Sequence, residues 1–146
     1  MAENATRRNK ELIREYYAAW DAGDPDAIAA FFADDFSTTY TDWMGEEVRV
    51  APADVHDWIA GWLDSMAEMT HQIHELVAEG DQVVANVTYR AIHDGTIHGI
   101  EPTGNTVEVE EYLRFRLENG TIVELDWVSD DLSLLTQLGL TLPIEA

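Results

Sequence analysis

The sequence predicts an α+β fold, with helices first and then a curved antiparallel sheet that carries them on one face. Three observations support this. Apolar residues recur at helical spacing as far as Met69, and from Ile73 the period changes to two. Turn signals at Gly80-Asp81 and Asn119-Gly120 separate the later apolar runs.

Leu12, Ile13, Tyr16, Tyr17, Ala19 and Trp20 predict a helix from Asn9 to Ala22, which Gly23 is placed to end. Asp24-Pro25 reads as N-cap and first helical position of a short helix burying Ile28, Phe31 and Phe32. Asp34 to Val50 mixes Phe36, Tyr40 and Trp43 with Thr, Asp and Gly, and reads as a short strand and loop. Pro52 sits near the start of a third helix to about Met69, with Val55, Ile59, Trp62 and Met66 as its stripe and Trp58 and Leu63 beside it. Strands are expected at Ile73–Ala78, Val83–His93, Val107–Leu117 and Ile122–Val128. Gly95 to Asn105 is a looser connection, and a short helix from Leu132 to Leu138, capped by Ser129 or Asp130, ends at Gly139. No repeat or linker interrupts the 146 residues, so one domain is expected, with an ordered core of about 9–139.

The chain has no cysteine, which removes disulfides, thiolate nucleophiles and thiolate-held metals. The formal net charge is −21, and Lys10 is the only lysine. The excess is even, −6, −7 and −8 over residues 1–50, 51–100 and 101–146, so it is neither a tail nor a patch. Such a chain repels phosphate backbones and anionic headgroups, which argues against nucleic-acid and membrane-surface partners. An acidic surface almost without lysine fits a salt-rich cytoplasm, where counterions screen self-repulsion. The polar stretch from Met1 to Lys10 has no apolar signal region, and no run approaches the roughly 18 apolar residues of a membrane span, so a soluble cytoplasmic protein is expected.

The last hairpin decides which side chains face inward. A two-residue Asn119-Gly120 turn pairs Glu118 with Thr121 and puts Glu124 and Asp126 on the face of Leu113, Phe115 and Leu117. A three-residue loop with a bulge shifts the register, so that Val123, Leu125 and Trp127 join Val107, Val109, Leu113, Phe115 and Leu117. This second register buries apolar groups and sets Arg114 opposite Glu124, and it is preferred.

In that register Glu111 lies between Val109 and Leu113 on the apolar face, opposite Trp127. A carboxyl there needs a partner, water in a cavity, or a raised pKa. His93 shares the face by alternation from Val83, so Glu111 and His93 are expected to form an acid-base pair suited to moving a proton next to a carbonyl. The competing reading is a sheet-edge glutamate in solvent and a loop histidine. Asp126 is a second candidate base, provided a bulge turns it inward; otherwise it is a solvated partner of Tyr112. Asp130 and Asp131 read as helix-cap residues. His71 and His74 lie three apart on a strand and point to opposite faces, which argues against a metal site. Tyr16, Tyr17, Trp20, Tyr40, Trp58, Trp62 and Trp127 supply a core or the walls of a roomy aromatic cavity, joined by Tyr89 and Leu113. No Gly-x-Ser-x-Gly or phosphate-cradling glycine loop is present.

The stretch His93-Asp94-Gly95 through Gly99-Ile100-Glu101-Pro102-Thr103-Gly104 resembles the His-x-Gly and Gly-Ile-Pro-Pro-Thr-Gly run of SnoaL-like polyketide cyclases and ester cyclases. Leu117 to Glu124, Asp130, Leu134 to Gly139, Gly23-Asp24 and Phe31 to Phe36 resemble the same family, so the likeness spans residues 9 to 139. It implies an NTF2-like cone, a bent antiparallel sheet whose helices close a deep pocket, commonly as a homodimer. In the family a pocket Asp on the last strand, aided by a His on the preceding strand, closes a ring by aldol chemistry without metal or cofactor. Aligned without gaps, that Asp position holds Trp127, the His position holds Leu113, and Glu111 falls where the family has a pocket Gln. With compensating one-residue gaps, Asp126-Trp127 matches the family's Asp-Trp.

The expectation is therefore a pocket for a small, mostly apolar, carbonyl-bearing molecule. Its acid-base chemistry would need no cofactor and would rest on Glu111, His93 and Asp126. A non-catalytic ligand-binding or dimerisation module, its pocket partly filled by Trp127, is the alternative.

Overall fold

The computed structural model describes residues 2–145; Met1, at the head of the polar N-terminal stretch, and Ala146 lie outside them. Helix α1 runs Ala2–Ala22 and buries Ile13, Tyr16 and Tyr17 on one stripe. It starts earlier than the apolar period because Ala, Glu, Arg and Lys continue a helix well in water without a core face. Gly23, at φ +70°, ends it. Helix α2, Pro25–Ala29, is capped by the Asp24 carboxylate, which accepts from the Asp26 and Ala27 amides at 3.0 and 3.3 Å. A cap of this kind contributes about 1 kcal/mol.

The segment read as one strand and a loop is a hairpin of β1, Thr38–Thr41, and β2, Glu47–Val50. The Asp42 carboxylate shapes its turn by accepting from the Met44 and Glu46 amides, both at 2.9 Å. A 3₁₀ turn at Pro52–Asp54 leads into α3, Val55–Ser65, which ends four residues before the expected Met69. Strand β3, Met66–Glu79, begins at once. Met66 and Met69 are both buried although three apart, a spacing that also fits a helix. A bulge between Ala67 and Thr70, with Glu68 at φ 54°, lets the strand turn both inward, so pairing with the next strand prevails over helical periodicity.

Strands β4 (Gln82–His93), β5 (Thr106–Glu118) and β6 (Thr121–Ser129) complete an antiparallel sheet in the order β3-β4-β5-β6. The sheet is curved but not closed; a second bulge in β3, between Ile73 and Glu75, and one in β6 add to its bend. Helix α4, Asp131–Gln137, follows β6 and packs on β5, with Asp130 accepting from the Ser133 amide as its cap. Helix α1 crosses β3 and β4 on the inner face.

The β5–β6 hairpin combines features of both expected registers. Glu118 pairs with Thr121 across Asn119-Gly120, as in the two-residue turn. The register then shifts between Leu117↔Ile122 and Arg116↔Glu124, leaving Val123 as the extra residue. Beyond this bulge Leu125 and Trp127 face inward as expected, but the preferred register is corrected by one pair of residues. Ile122 is fully buried rather than outward, Arg114 pairs with Asp126 rather than Glu124, and Glu111 lies opposite Ser129 rather than Trp127.

Candidate active site

Side chains from α1, β1, α3 and all four strands of the sheet surround a cavity of about 140 Å³. That is roughly ten times the least space that one buried water needs. Tyr17, Tyr40, Trp58, Trp62, Tyr89, Leu113 and Trp127 line it, together with Tyr16 and Trp20. Trp127 packs on Tyr40 and Trp58, with ring centroids 5.3 and 5.7 Å apart, and forms a wall rather than a plug.

Glu111 enters from the centre of β5, where it pairs with Val87 on one side and Ser129 on the other. The Ser129 hydroxyl donates to its Oε2. Burial pushes the Glu111 carboxyl up to about 7; the Ser129 hydrogen bond pulls it down, and the nearby Asp131 carboxylate adds to the rise. Asp131 belongs to the cavity and not only to the helix start. Its own carboxyl is raised by burial, with the Trp43 indole opposing.

Tyr17 presents a buried hydroxyl without a hydrogen-bond partner among the described residues. Burial first, and then the neighbouring Tyr16 phenol and Glu111 carboxyl, hold this phenol well above its ordinary range, so it stays a proton donor. Across the wall, His71 follows the first bulge of β3 and pairs with Tyr89, which fixes its inward direction. Its Nδ1 lies 2.8 Å from the Asp21 carboxylate at the end of α1, and its side chain is only 5% exposed.

His93 and Asp126 do not join this group. His93 ends β4 six residues beyond Val87, the partner of Glu111, or about 20 Å along the strand. It is fully buried, and its Nδ1 accepts from the Thr103 amide at 3.2 Å and faces the Thr103 hydroxyl at 3.0 Å. With backbone bonds to Gly104 and Asn105, it anchors the 94–105 loop. Gly95 is required beside it, because a Cβ there would lie 2.6 Å from the Asp64 carbonyl oxygen. The alternation that put His93 on the inner face is correct; the face is longer than the cavity. Asp126 faces outward beside Arg114 with its side chain 69% exposed, since the bulge lies at the hairpin end and leaves the parity of β6 outward at that residue.

Ser129, Asp131, His71 and Asp21 escaped the sequence reading. A two-residue turn followed by a bulge at Val123, rather than a bulge within a three-residue loop, sets Ser129 opposite Glu111. Starting β3 at Met66 would have paired His71 with inward-facing Tyr89. Asp21 carries a fainter signal, a carboxylate in the last turn of a helix, where the dipole disfavours it, and one turn after Tyr17. His74 points outward to the Thr88 hydroxyl at 2.7 Å, away from His71. Among the described residues no three acidic or histidine side chains are grouped to hold a metal ion. No helix there is long and apolar enough to cross a membrane.

The family model for SnoaL-like polyketide cyclases matches residues 10–138. The chain is similar to AclR from Streptomyces galilaeus, provisionally described as a hydroxylase, at 28% identity over 97% of this chain and 86% of that one, with a TM-score of 0.80. It is similar to TsrD from Streptomyces laurentii at 25% identity over 89% and 93% of the two chains, TM-score 0.74. A SnoaL-like protein from Jannaschia, provisionally a polyketide cyclase, shares the fold at 20% identity over 93% and 94%, TM-score 0.79. No protein of curated function matches the chain. Helices on an open, curved antiparallel sheet are thus the NTF2-like fold, and the chain belongs to the SnoaL-like polyketide cyclase family.

Proposed function

We propose that this protein is an acid-base enzyme working without a cofactor on a small, mostly apolar molecule that carries a carbonyl group. The observation that supports this most is Glu111, a carboxyl buried in an aromatic cavity, held by Ser129 and poised to gain or lose its proton near neutrality. A carboxyl in such a place costs stability, and a purely structural role needs none. The aromatic walls bind the carbon skeleton, and the unpartnered Tyr17 hydroxyl supplies a donor for the carbonyl oxygen. Glu111 exchanges a proton with the carbonyl or the carbon beside it, the step that isomerisation and ring closure have in common. The positions at which the family resemblance expects Asp and His hold Trp127 and Leu113, so the proton passes through a different residue here.

The test uses 2-tetralone, an apolar bicyclic ketone, in D2O, with loss of the α-proton signals followed by NMR. The wild-type protein accelerates exchange over buffer, and Glu111→Gln loses about 100-fold or more, the lower range of a general acid-base contribution. Binding of 2-tetralone without accelerated exchange makes the cavity a ligand-binding module and overturns the proposal.

A further inference from the structure

The mechanism above leaves a second titratable group in the cavity unused. His71 is nearly buried among side chains of α1 and β4. Asp21, Tyr17 and Trp20 come from α1 and Tyr89 from β4, with the Tyr17 ring centroid 4.9 Å away and those of Tyr89 and Trp20 at 6.2 and 6.4 Å. The further titratable groups of the cavity are Glu111 from β5, Asp131 from α4, Asp42 after β1, and His98.

Asp21 fixes the ring. A carboxylate only accepts, so the imidazole donates Nδ1–H to it, and the lone pair of the neutral ring lies on Nε2. Nε2 has no hydrogen-bond partner among the described residues, and His71 lines the cavity. Asp21 gains nothing for α1 by standing at the negative end of the helix dipole, so its placement is explained by the histidine rather than by the helix.

His71 and Glu111 stand on one wall, two strands and two residues apart. His71 pairs with Tyr89, Glu111 pairs with Val87, and all four face inward. On a flat sheet their Cα atoms would be about 12 Å apart, and curvature brings them closer. Both side chains line the same cavity.

We propose that His71, oriented by Asp21, is the second proton-transfer group of this cavity, acting as base toward a ring ketone whose carbonyl oxygen meets Glu111. This deepens the acid-base reading of Glu111 and rests on it for the complete reaction. His71 Nε2 takes the proton of an acidic C–H. The released electron pair moves through the conjugated carbons to the carbonyl oxygen, which receives the Glu111 proton. An enol, an imidazolium facing Asp21 and a carboxylate facing Ser129 result. Return of both protons restores the enzyme, and nothing is oxidised or reduced. Asp21 touches no reacting atom and is a positioning residue. The protonation states agree with the geometry: burial lowers the His71 pKa, with Asp21 opposing, and burial raises that of Glu111, so between the two a neutral ring faces a protonated carboxyl.

The test is NMR of the full chain with 15N-labelled histidine at pH 7.5, with the His71 signals identified by His71→Gln. Wild-type His71 is expected as the neutral Nδ1–H form, and 2-naphthol, which carries an acidic hydroxyl on an apolar bicycle, shifts its Nε2 resonance. Asp21→Asn removes the single-tautomer signature. 2-Naphthol binds at least fivefold tighter than naphthalene, and His71→Gln abolishes that preference. An Nε2–H tautomer in the wild-type protein, or an Nε2 signal indifferent to 2-naphthol, overturns the proposal without need of any variant. Glu111→Gln retains the Nε2 response, so failure of the Glu111 reading is separable. Conversely, 2-tetralone exchange that needs Glu111 but runs at full rate in His71→Gln refutes the role of His71 alone.

Discussion

Replacing Glu111 by Gln should stabilise the protein at alkaline pH and leave it nearly unchanged in acid. The folded carboxyl is pushed up to about 7, against 4.5 for an ordinary glutamate. Between these values the native state binds more protons than the unfolded chain, so stability falls as pH rises through that window. The contribution is fully present below pH 4.5 and lost above pH 7. The shift corresponds to about 3 kcal/mol, from about 1.4 kcal/mol per pKa unit. In a chain of 146 residues that amounts to roughly 6–12 °C in Tm. Glutamine has almost the same shape, accepts the Ser129 hydrogen bond and never ionises. Thermal melts of both proteins from pH 4.5 to 8.5 at constant salt give a difference curve from which other titrations cancel. The reasoning predicts near-equality at pH 4.5 and a Gln advantage that grows to a plateau above pH 8. A difference independent of pH, or a Gln variant less stable at pH 8.5, would refute it.

Gly95→Ala should cost roughly 1–3 kcal/mol in urea denaturation, since its Cβ would meet the Asp64 carbonyl oxygen and the Ser65 Cα at 2.6 and 2.8 Å; an unchanged midpoint would contradict that close approach. With a net charge of −21, the melting temperature should rise between low and molar salt, and a salt-independent value would remove the proposed adaptation to a salty interior. The outer sheet face leaves Tyr112 and Val128 55% and 75% exposed beside Arg114 and Arg116, and a homodimer through this face is proposed. Light scattering in molar salt should give twice the chain mass, and Tyr112→Glu with Val128→Glu should halve it; a monomeric wild type contradicts the dimer.

Strand parity made much of this fold readable from residues alone. Val83, Ala85, Val87, Tyr89 and Ala91 alternate without a fault along β4, which carries no bulge. The same logic identified Glu111 as a carboxyl on an apolar face. Parity alone does not say how far along that face the cavity reaches, so it places His93 with Glu111 although the two lie about 20 Å apart along the sheet. Bulges account for most of the remainder. Val123 shifts β6 and brings Ser129, not Trp127, opposite Glu111. The irregularity at Glu68 hides the start of β3, and with it the inward course of His71. The contact between Asp21 and His71 joins a helix end to a strand fifty residues later, and no local pattern encodes it.

The pH profile of proton exchange tests the central claim most directly. The rate of deuterium incorporation into 2-tetralone, measured from pH 5 to 9, should show an inflection near 7 that belongs to Glu111 and disappears with the activity in Glu111→Gln. An accelerated rate that survives unchanged in Glu111→Gln, inflection included, would show that the buried carboxyl does not carry the proton.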